Sequence, residues 1–281
     1  MPYHYITHQG ISSLKQDGKL ITDPIPKANV MNDHFRSVFS NAEKITESEF
    51  KSNCKLSIKS NYQTMPDIIV TCEGIAKLLN LNPGKAVVLD ENKSRVLKEL
   101  ATEIAPILTL IFQISLESGV VPSAWKTAVV ALVYKKGPRY NPENYRPISL
   151  TCMCWKLLEL IVVSNAMSYA DKYNILFPFQ HGFRKFRSCK TQLIEFIDDM
   201  TRNLDDGKQT NFLIMDFSKG NAFVKVSHNH LTHKLKHYGI RGKVNNWIES
   251  FLSGRTQAVI AKGEKSTYLP VDSGVPQGSV L

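Results

Sequence analysis

A chain of 281 residues, 43% hydrophobic and 21% charged, has the makeup of an ordinary globular protein, which argues against a disordered or fibrous one. Its apolar runs, such as Ala128 to Tyr134, fall far short of the roughly 20 residues of a membrane-spanning helix, and Met1-Pro2-Tyr3-His4-Tyr5 lacks the basic and apolar regions of a secretory signal. An intracellular setting, cytoplasmic or nuclear, is expected, and the net charge of +10 favours a polyanionic partner.

Residues 1–61 are polar and broken by Asp23-Pro24-Ile25-Pro26, so they read as a linker region with one short helix over Ala28 to Phe39, where Val30, Met31, Phe35 and Val38 recur at helical spacing. Thr71 with Glu73 opens a helix through Leu79, closed by Asn82-Pro83-Gly84. Ser94 starts a longer one whose wide apolar face is Ile104, Ile107, Leu108, Ile111, Phe112 and Ile114, with Gly119 and Pro122 as its stop. The pattern then changes. Thr127 to Tyr134 is a β-branched run, Lys135-Lys136-Gly137-Pro138 is turn chemistry, and Asn144 to Leu150 returns the chain as a hairpin. Helical periodicity resumes over Lys156 to Tyr169 and Ser188 to Leu204. Phe212-Leu213-Ile214-Met215 reads as a buried strand that delivers Asp216 at its end. Helices over His228 to Tyr238 and Lys243 to Leu252 follow, then a hairpin of Gln257 to Ala261 with Tyr268 to Val271. With no internal repeat, the pattern predicts an α+β domain.

Charge is concentrated in the middle. Between Val121 and Lys190 there are 11 Lys or Arg and 3 acids, a distribution suited to a nucleic-acid groove or to a solvated basic face. The five cysteines, Cys54, Cys72, Cys152, Cys154 and Cys189, contain no Cys-x-x-Cys pair. They read as free thiols, with Cys152 and Cys154 small and buried. His230, His233 and His237, with His228 just before them, share a helix face, which offers a metal site as a distant alternative to a surface stripe. A carboxylate at the end of a hydrophobic strand, as at Asp216, sits at a rigid position. Combined with a cationic hairpin at Lys135, Lys136 and Arg146, it suits metal-dependent nucleotidyl transfer.

The order of segments is more specific than any one of them. Trp125-Lys126, Val129 to Lys136, Asn144-Tyr145-Arg146-Pro147-Ile148-Ser149-Leu150-Thr151, Lys156-Leu157-Leu158-Glu159, Gln180-His181-Gly182-Phe183-Arg184, Asp216-Phe217-Ser218-Lys219 and Ser273-Gly274-Val275-Pro276-Gln277-Gly278-Ser279-Val280-Leu281 follow one another along the chain. In order and spacing they resemble the reverse transcriptase of non-LTR retrotransposons of the LINE class, in its Jockey-like branch, from about Pro66 to Leu281. Lys27-Ala28-Asn29 and Phe35-Arg36-Ser37-Val38-Phe39 are similar to the connector that follows the endonuclease in that family. The resemblance divides the chain into a linker, 1–60, and a reverse transcriptase domain, 61–281, holding the fingers and the first part of the palm of a right-hand polymerase, with the thumb absent.

The resemblance implies RNA-templated DNA synthesis on a DNA primer from deoxynucleoside triphosphates, with Mg2+ as cofactor. By motif, Asp216 is the catalytic and metal-binding carboxylate. Lys135 or Lys136 and Arg146 neutralise the triphosphate, Gly274, Pro276, Gln277 and Gly278 shape the nucleotide pocket, and Phe223 excludes a ribose 2′-hydroxyl. Arg184 and Arg187 contact the template or primer backbone. The first palm motif departs from the family's D-F-S-K-A-F-D by an inserted Gly220-Asn221 and by Val224 in place of the second Asp. The sequence also stops before an aromatic-Ala-Asp-Asp hairpin. The isolated chain is therefore expected to be inactive, with a non-catalytic RNA- or DNA-binding module as the alternative.

Overall fold

The run Thr127–Tyr134 forms a strand, as its Val-rich content favours, and returns antiparallel through Tyr145–Leu150, with Val129 opposite Leu150 and Tyr134 opposite Tyr145. This hairpin is the expected one. It lies in the first of two units of the computed structural model, which describes residues 12–16, 18–40, 44–53, 62–80, 91–215 and 223–280; the first unit comprises residues 1–166 and 221–281, the second residues 167–220. In chain order the elements are β1 (Leu14–Gln16), β2 (Lys19–Ile21), α1 (Pro24–Ser37), α2 (Glu47–Asn53), α3 (Cys72–Asn80), α4 (Glu91–Glu99), α5 (Ala101–Ser118), β3 (Thr127–Tyr134), β4 (Tyr145–Leu150), α6 (Met153–Lys172), α7 (Cys189–Asp205), α8 (His228–His237), α9 (Gly242–Leu252), β5 (Arg255–Ala261), β6 (Glu264–Lys265) and β7 (Leu269–Val271). The mixture of helices and sheet is the α+β class expected, and no helix among the described residues is long and apolar enough to cross a membrane.

The first unit is organised by a sheet of order β4-β3-β5-β6, with β7 also paired to β5. The closing hairpin of β5 with β7 agrees with the sequence reading. The parallel pairing of β5 with β3, Val129 opposite Ala258, does not appear in any local pattern, because parallel neighbours are joined by long crossovers.

One face of the sheet is covered by α1. Ala28, Met31 and Phe35 pack with Leu14, Val130, Leu132, Tyr145, Val259 and Ala261 in one buried cluster. The stretch expected to be linker thus supplies a β-hairpin and a helix to this core. The helix starts at Pro24 rather than Ala28, since proline at the first helical position gives up an N–H that would have no partner anyway. Asn32 fastens α1 to the sheet by donating to Ser266 Oγ at 3.0 Å and Thr267 O at 2.8 Å while accepting from Gln257 Nε2 at 3.1 Å.

A second buried group is aromatic. Trp155 stacks on Phe251 with centroids 5.0 Å apart and meets Trp125 edge-on at 5.6 Å, and Trp247 also stacks on Phe251, at 5.6 Å. The Trp247 indole N–H donates to Ser115 Oγ at 3.0 Å, which satisfies it inside the core. Where one helix from Ser94 was predicted, α4 and α5 are separated by the non-helical Leu100. Leu108 and Phe112 of the predicted apolar face are buried, but Ile107, Ile111 and Ile114 are exposed. Gly119 ends α5 in the left-handed conformation, φ 67°.

The second unit holds the end of α6 and all of α7. Ser188 and Thr191 close a reciprocal capping box on α7, so its start is where the sequence placed it. The buried strand expected at Phe212 to Met215 is not formed. These residues have no strand assignment and are 47%, 83%, 89% and 69% exposed. A strand is stabilised by a neighbour's N–H and C=O groups, and none of the described strands pairs with this segment. Cys152 is likewise exposed rather than buried, and Cys154 half-buried. Cys54, the Asn82-Pro83-Gly84 turn, the Gly220-Asn221 insertion and Asp216 itself lie outside the described residues.

Candidate active site

The segment Ser273 to Val280 is held by hydrogen bonds to the Phe223-to-Val226 backbone and by one to the edge strand β4. Ser149 N–H donates to Gln277 O at 2.7 Å, a single backbone hydrogen bond between the loop and β4. Gly274 N–H donates to Val226 O at 2.8 Å and Val275 N–H to Phe223 O at 2.8 Å. Ser273 Oγ donates to Val224 O at 2.7 Å. Gly274 is required where it stands: at φ +82°, a Cβ would lie 2.6 Å from both Phe223 O and Val224 O. Gly278, at φ +94°, passes close over Ile148 and Ser149, where a Cβ would lie 3.1 Å from each.

Beside this loop is a small pocket whose lining includes Ser149, Val224, Arg255, Gln257, Pro276 and Gln277. Gln277 and Gly278 meet β4, the strand that carries Arg146, at Ser149 and Ile148. Arg146 itself pairs with Val133. Alternation along β4 puts its side chain on the sheet face of Ile148, while Pro147 and Ser149 on the other face line the pocket. Lys135 and Lys136 stand exposed at the hairpin end, where Lys135 N–H donates to Asn144 O at 2.8 Å. Phe223 meets the loop through its carbonyl and is half exposed; the buried Val224, next to it, lines the pocket.

Arg184 and Arg187, in the second unit, have local partners. Arg184 Nη2 lies 3.1 Å from Asp171 Oδ1, and Arg187 Nη1 lies 3.6 Å from Glu195 Oε1. His181 is buried between Thr191 Oγ1 at 2.8 Å and Glu195 Oε2 at 2.9 Å. His228, His233 and His237 of α8 have separate local partners, and His230 is exposed. His233 stacks on Phe50, with Nε2 3.1 Å from Ile45 O. His237 meets Tyr62 edge-on, and His228 Nε2 donates to Gly274 O at 2.7 Å. Among the described residues no group of three or more His, Cys, Asp or Glu side chains is placed to hold a metal ion.

Two charged residues that the sequence reading gave no role are the most deeply buried of the site. Glu159 of α6 and Arg255 at the start of β5 are 0% and 3% exposed. Burial pushes the Glu159 carboxyl above its ordinary range, opposed by hydrogen bonds from Ser279, Val280 and Trp155. Burial also lowers the Arg255 guanidinium to about 10, opposed by Glu159. The available signal was a glutamate flanked by Leu157, Leu158, Leu160 and Ile161, an apolar setting that disfavours an unpaired charge.

Comparison with known proteins agrees with this architecture. The family described as reverse transcriptase (RNA-dependent DNA polymerase) matches residues 133–281, just over half of the chain, and the chain belongs to that family. It is 26% identical over 272 residues to a probable RNA-directed DNA polymerase from transposon BS of Drosophila melanogaster, covering 94% of this chain and 29% of the relative. It is 30% identical over 227 residues to the RNA-directed DNA polymerase from mobile element jockey of the same species, covering 80% of this chain and 24% of the relative. A Pol polyprotein from the retrotransposable element R2 of Popillia japonica is 26% identical over 170 residues, covering 60% of this chain and 23% of the relative. The chain thus spans less than a third of each of these relatives, and the Jockey-like resemblance read from its motifs holds. The family uses divalent metal ions such as Mg2+; the described residues do not by themselves form a shell for one, and Asp216, the carboxylate assigned to it by motif, lies outside them.

Proposed function

We propose that this chain carries the nucleotide-selecting part of a non-LTR retroelement reverse transcriptase, acting on a DNA primer annealed to an RNA template with deoxynucleoside triphosphates as substrates. The observation that supports the reading most strongly is the seating of the Gly274-to-Gly278 loop on β4, the return strand of the cationic hairpin. A loop fixed through its backbone on a rigid strand keeps Gln277 and Gly278 in place for a nucleotide without reorganisation on binding. Lys135 and Lys136, exposed at the hairpin end, offer charge to an approaching triphosphate, whereas Arg146 stands on the sheet face opposite the pocket-lining Pro147 and Ser149. In the whole polymerase, Asp216 would contribute a metal-binding carboxylate, and Phe223 would face the sugar.

The reading is tested by titrating the chain with a fluorescent deoxynucleoside triphosphate in the presence of Mg2+. Binding is expected, and it should weaken by about tenfold or more in Gln277→Ala and in the combined Lys135→Ala, Lys136→Ala variant, since each removes polar or charged groups that face the ligand. A chain that binds primer–template but no deoxynucleotide is instead a nucleic-acid-binding module without a nucleotide site.

A further inference from the structure

Glu159 is fully withdrawn from solvent. A carboxylate in such a place persists where hydrogen-bond donors replace its water, and otherwise is better replaced by an apolar side chain. Three donors surround it. Trp155 Nε1, one helical turn earlier, donates to Oε1. On Oε2 converge Ser279 Oγ at 2.6 Å and the Val280 backbone N–H at 2.7 Å. Two of the three therefore come from the far end of the pocket loop, and they join it to α6.

Arg255 acts on Glu159 electrostatically, without an ion pair between them among the described residues. Its guanidinium lies over the rings of Trp155 and Phe251, 5.4 and 5.1 Å from their centroids, and Nη1 donates to Phe251 O at 3.3 Å. Nη2 has no hydrogen-bond partner among the described residues, and Arg255 lines the pocket together with Gln277. The loop is thereby fixed at both ends, at Gly274 by the Phe223-to-Val226 backbone and at Ser279 by Glu159. Gln277 lies between these two anchors, on Ser149.

Resting on the nucleotide-pocket reading above, we propose that Glu159 is a positioning residue of that pocket: it holds the Ser279–Val280 end of the loop so that Gln277 and Gly278 keep their place on β4. An apolar residue at 159 would fill the same space but could not hold the loop.

The test compares wild type with Ser279→Ala, Ser279→Thr, Glu159→Gln and the Glu159→Gln, Ser279→Ala double variant, in the 281-residue chain. N-methylanthraniloyl-dATP with Mg2+ is the binding probe, and hydrogen exchange is followed over residues 274–280. Ser279→Ala should weaken nucleotide binding about tenfold, the scale of one hydrogen bond to a charged group, and speed exchange in the loop, in a chain whose thermal midpoint falls but which stays folded at the assay temperature. Ser279→Thr, which keeps the hydroxyl, should restore both. Glu159→Gln should weaken binding further, because its amide N–H group faces donors, and adding Ser279→Ala to it should cost nothing more. Should Glu159→Gln fail to fold, the Ser279 pair decides. Wild-type affinity in folded Ser279→Ala and Glu159→Gln overturns the positioning role while leaving the pocket intact. Absence of binding by wild type overturns the pocket reading, and this inference with it.

Discussion

At Gly274 the site depends on the absence of a side chain. The positive φ, and the two carbonyl oxygens that would stand 2.6 Å from a Cβ, mean that any substitution must displace backbone of both the Phe223–Val224 turn and the loop. Gly274→Ala should therefore destabilise the fold by about 2 kcal/mol or more in denaturant melts. Gly182→Ala, where a Cβ meets nothing within 4 Å, should stay within about 0.5 kcal/mol of wild type. Equal effects at the two glycines would contradict this packing.

His228 ties the same loop to pH. Burial holds its imidazole below the ordinary value of 6.5, helped by Arg255 and opposed by the bond to Gly274 O and by Asp272. A folded pKa below the unfolded one means that, below pH 6.5, the unfolded chain binds the proton more readily than the folded chain does. This contribution to stability is full above the unfolded value and is lost as pH falls through the window down to the lowered folded value. His228→Gln should flatten the fall in stability as pH drops below the ordinary value of 6.5, as read from urea midpoints; an unchanged slope would assign the acid sensitivity to other groups.

At the scale of elements, what could be read from the sequence was whatever local chemistry determines. The β3–β4 hairpin, the capping box at Ser188 and the left-handed stop at Gly119 each follow from residues close to one another in the chain. The segment Phe212 to Met215 shows the limit of that logic. Its composition favours a strand, but a strand also needs hydrogen-bonding neighbours, and none of the described strands supplies them. The result is four consecutive apolar side chains open to solvent, near the exposed Leu193, Ile194 and Ile197 of α7 in sequence and in the same unit. Such a surface promotes self-association. Leu213→Lys with Ile214→Lys should reduce association in sedimentation velocity while changing the unfolding free energy by no more than about 0.5 kcal/mol. Association unaffected by these charges would place the sticky surface elsewhere.

Across the whole molecule, the positive charge is unequally available. Arg184 and Arg187 face Asp171 and Glu195, whereas Lys135 and Lys136 are exposed at the hairpin. Nucleic-acid affinity should fall with rising salt, its logarithm linear in the logarithm of salt concentration. Lys135→Ala with Lys136→Ala should shallow that slope by about two units, one for each phosphate that goes unneutralised. Arg184→Ala with Arg187→Ala should shallow it by less, because those cations are already partly neutralised. A larger effect from the arginine pair would reverse this assignment. Family and motif order were legible in the sequence, since the loop at Ser273 to Gly278 and the Asn144-to-Thr151 strand are long and ordered. The buried couple of Glu159 and Arg255 was not, because it joins α6, the start of β5 and the loop end, segments that come together only in the folded chain. RNA-templated primer extension decides whether the chain is the nucleotide-selecting part of a reverse transcriptase. The chain is joined to the downstream polymerase sequence of the jockey relative and compared with the same protein carrying Asp216→Asn. Deoxynucleotide incorporation that the Asn substitution abolishes is expected; incorporation that persists unchanged with Asn at that position would overturn the assignment.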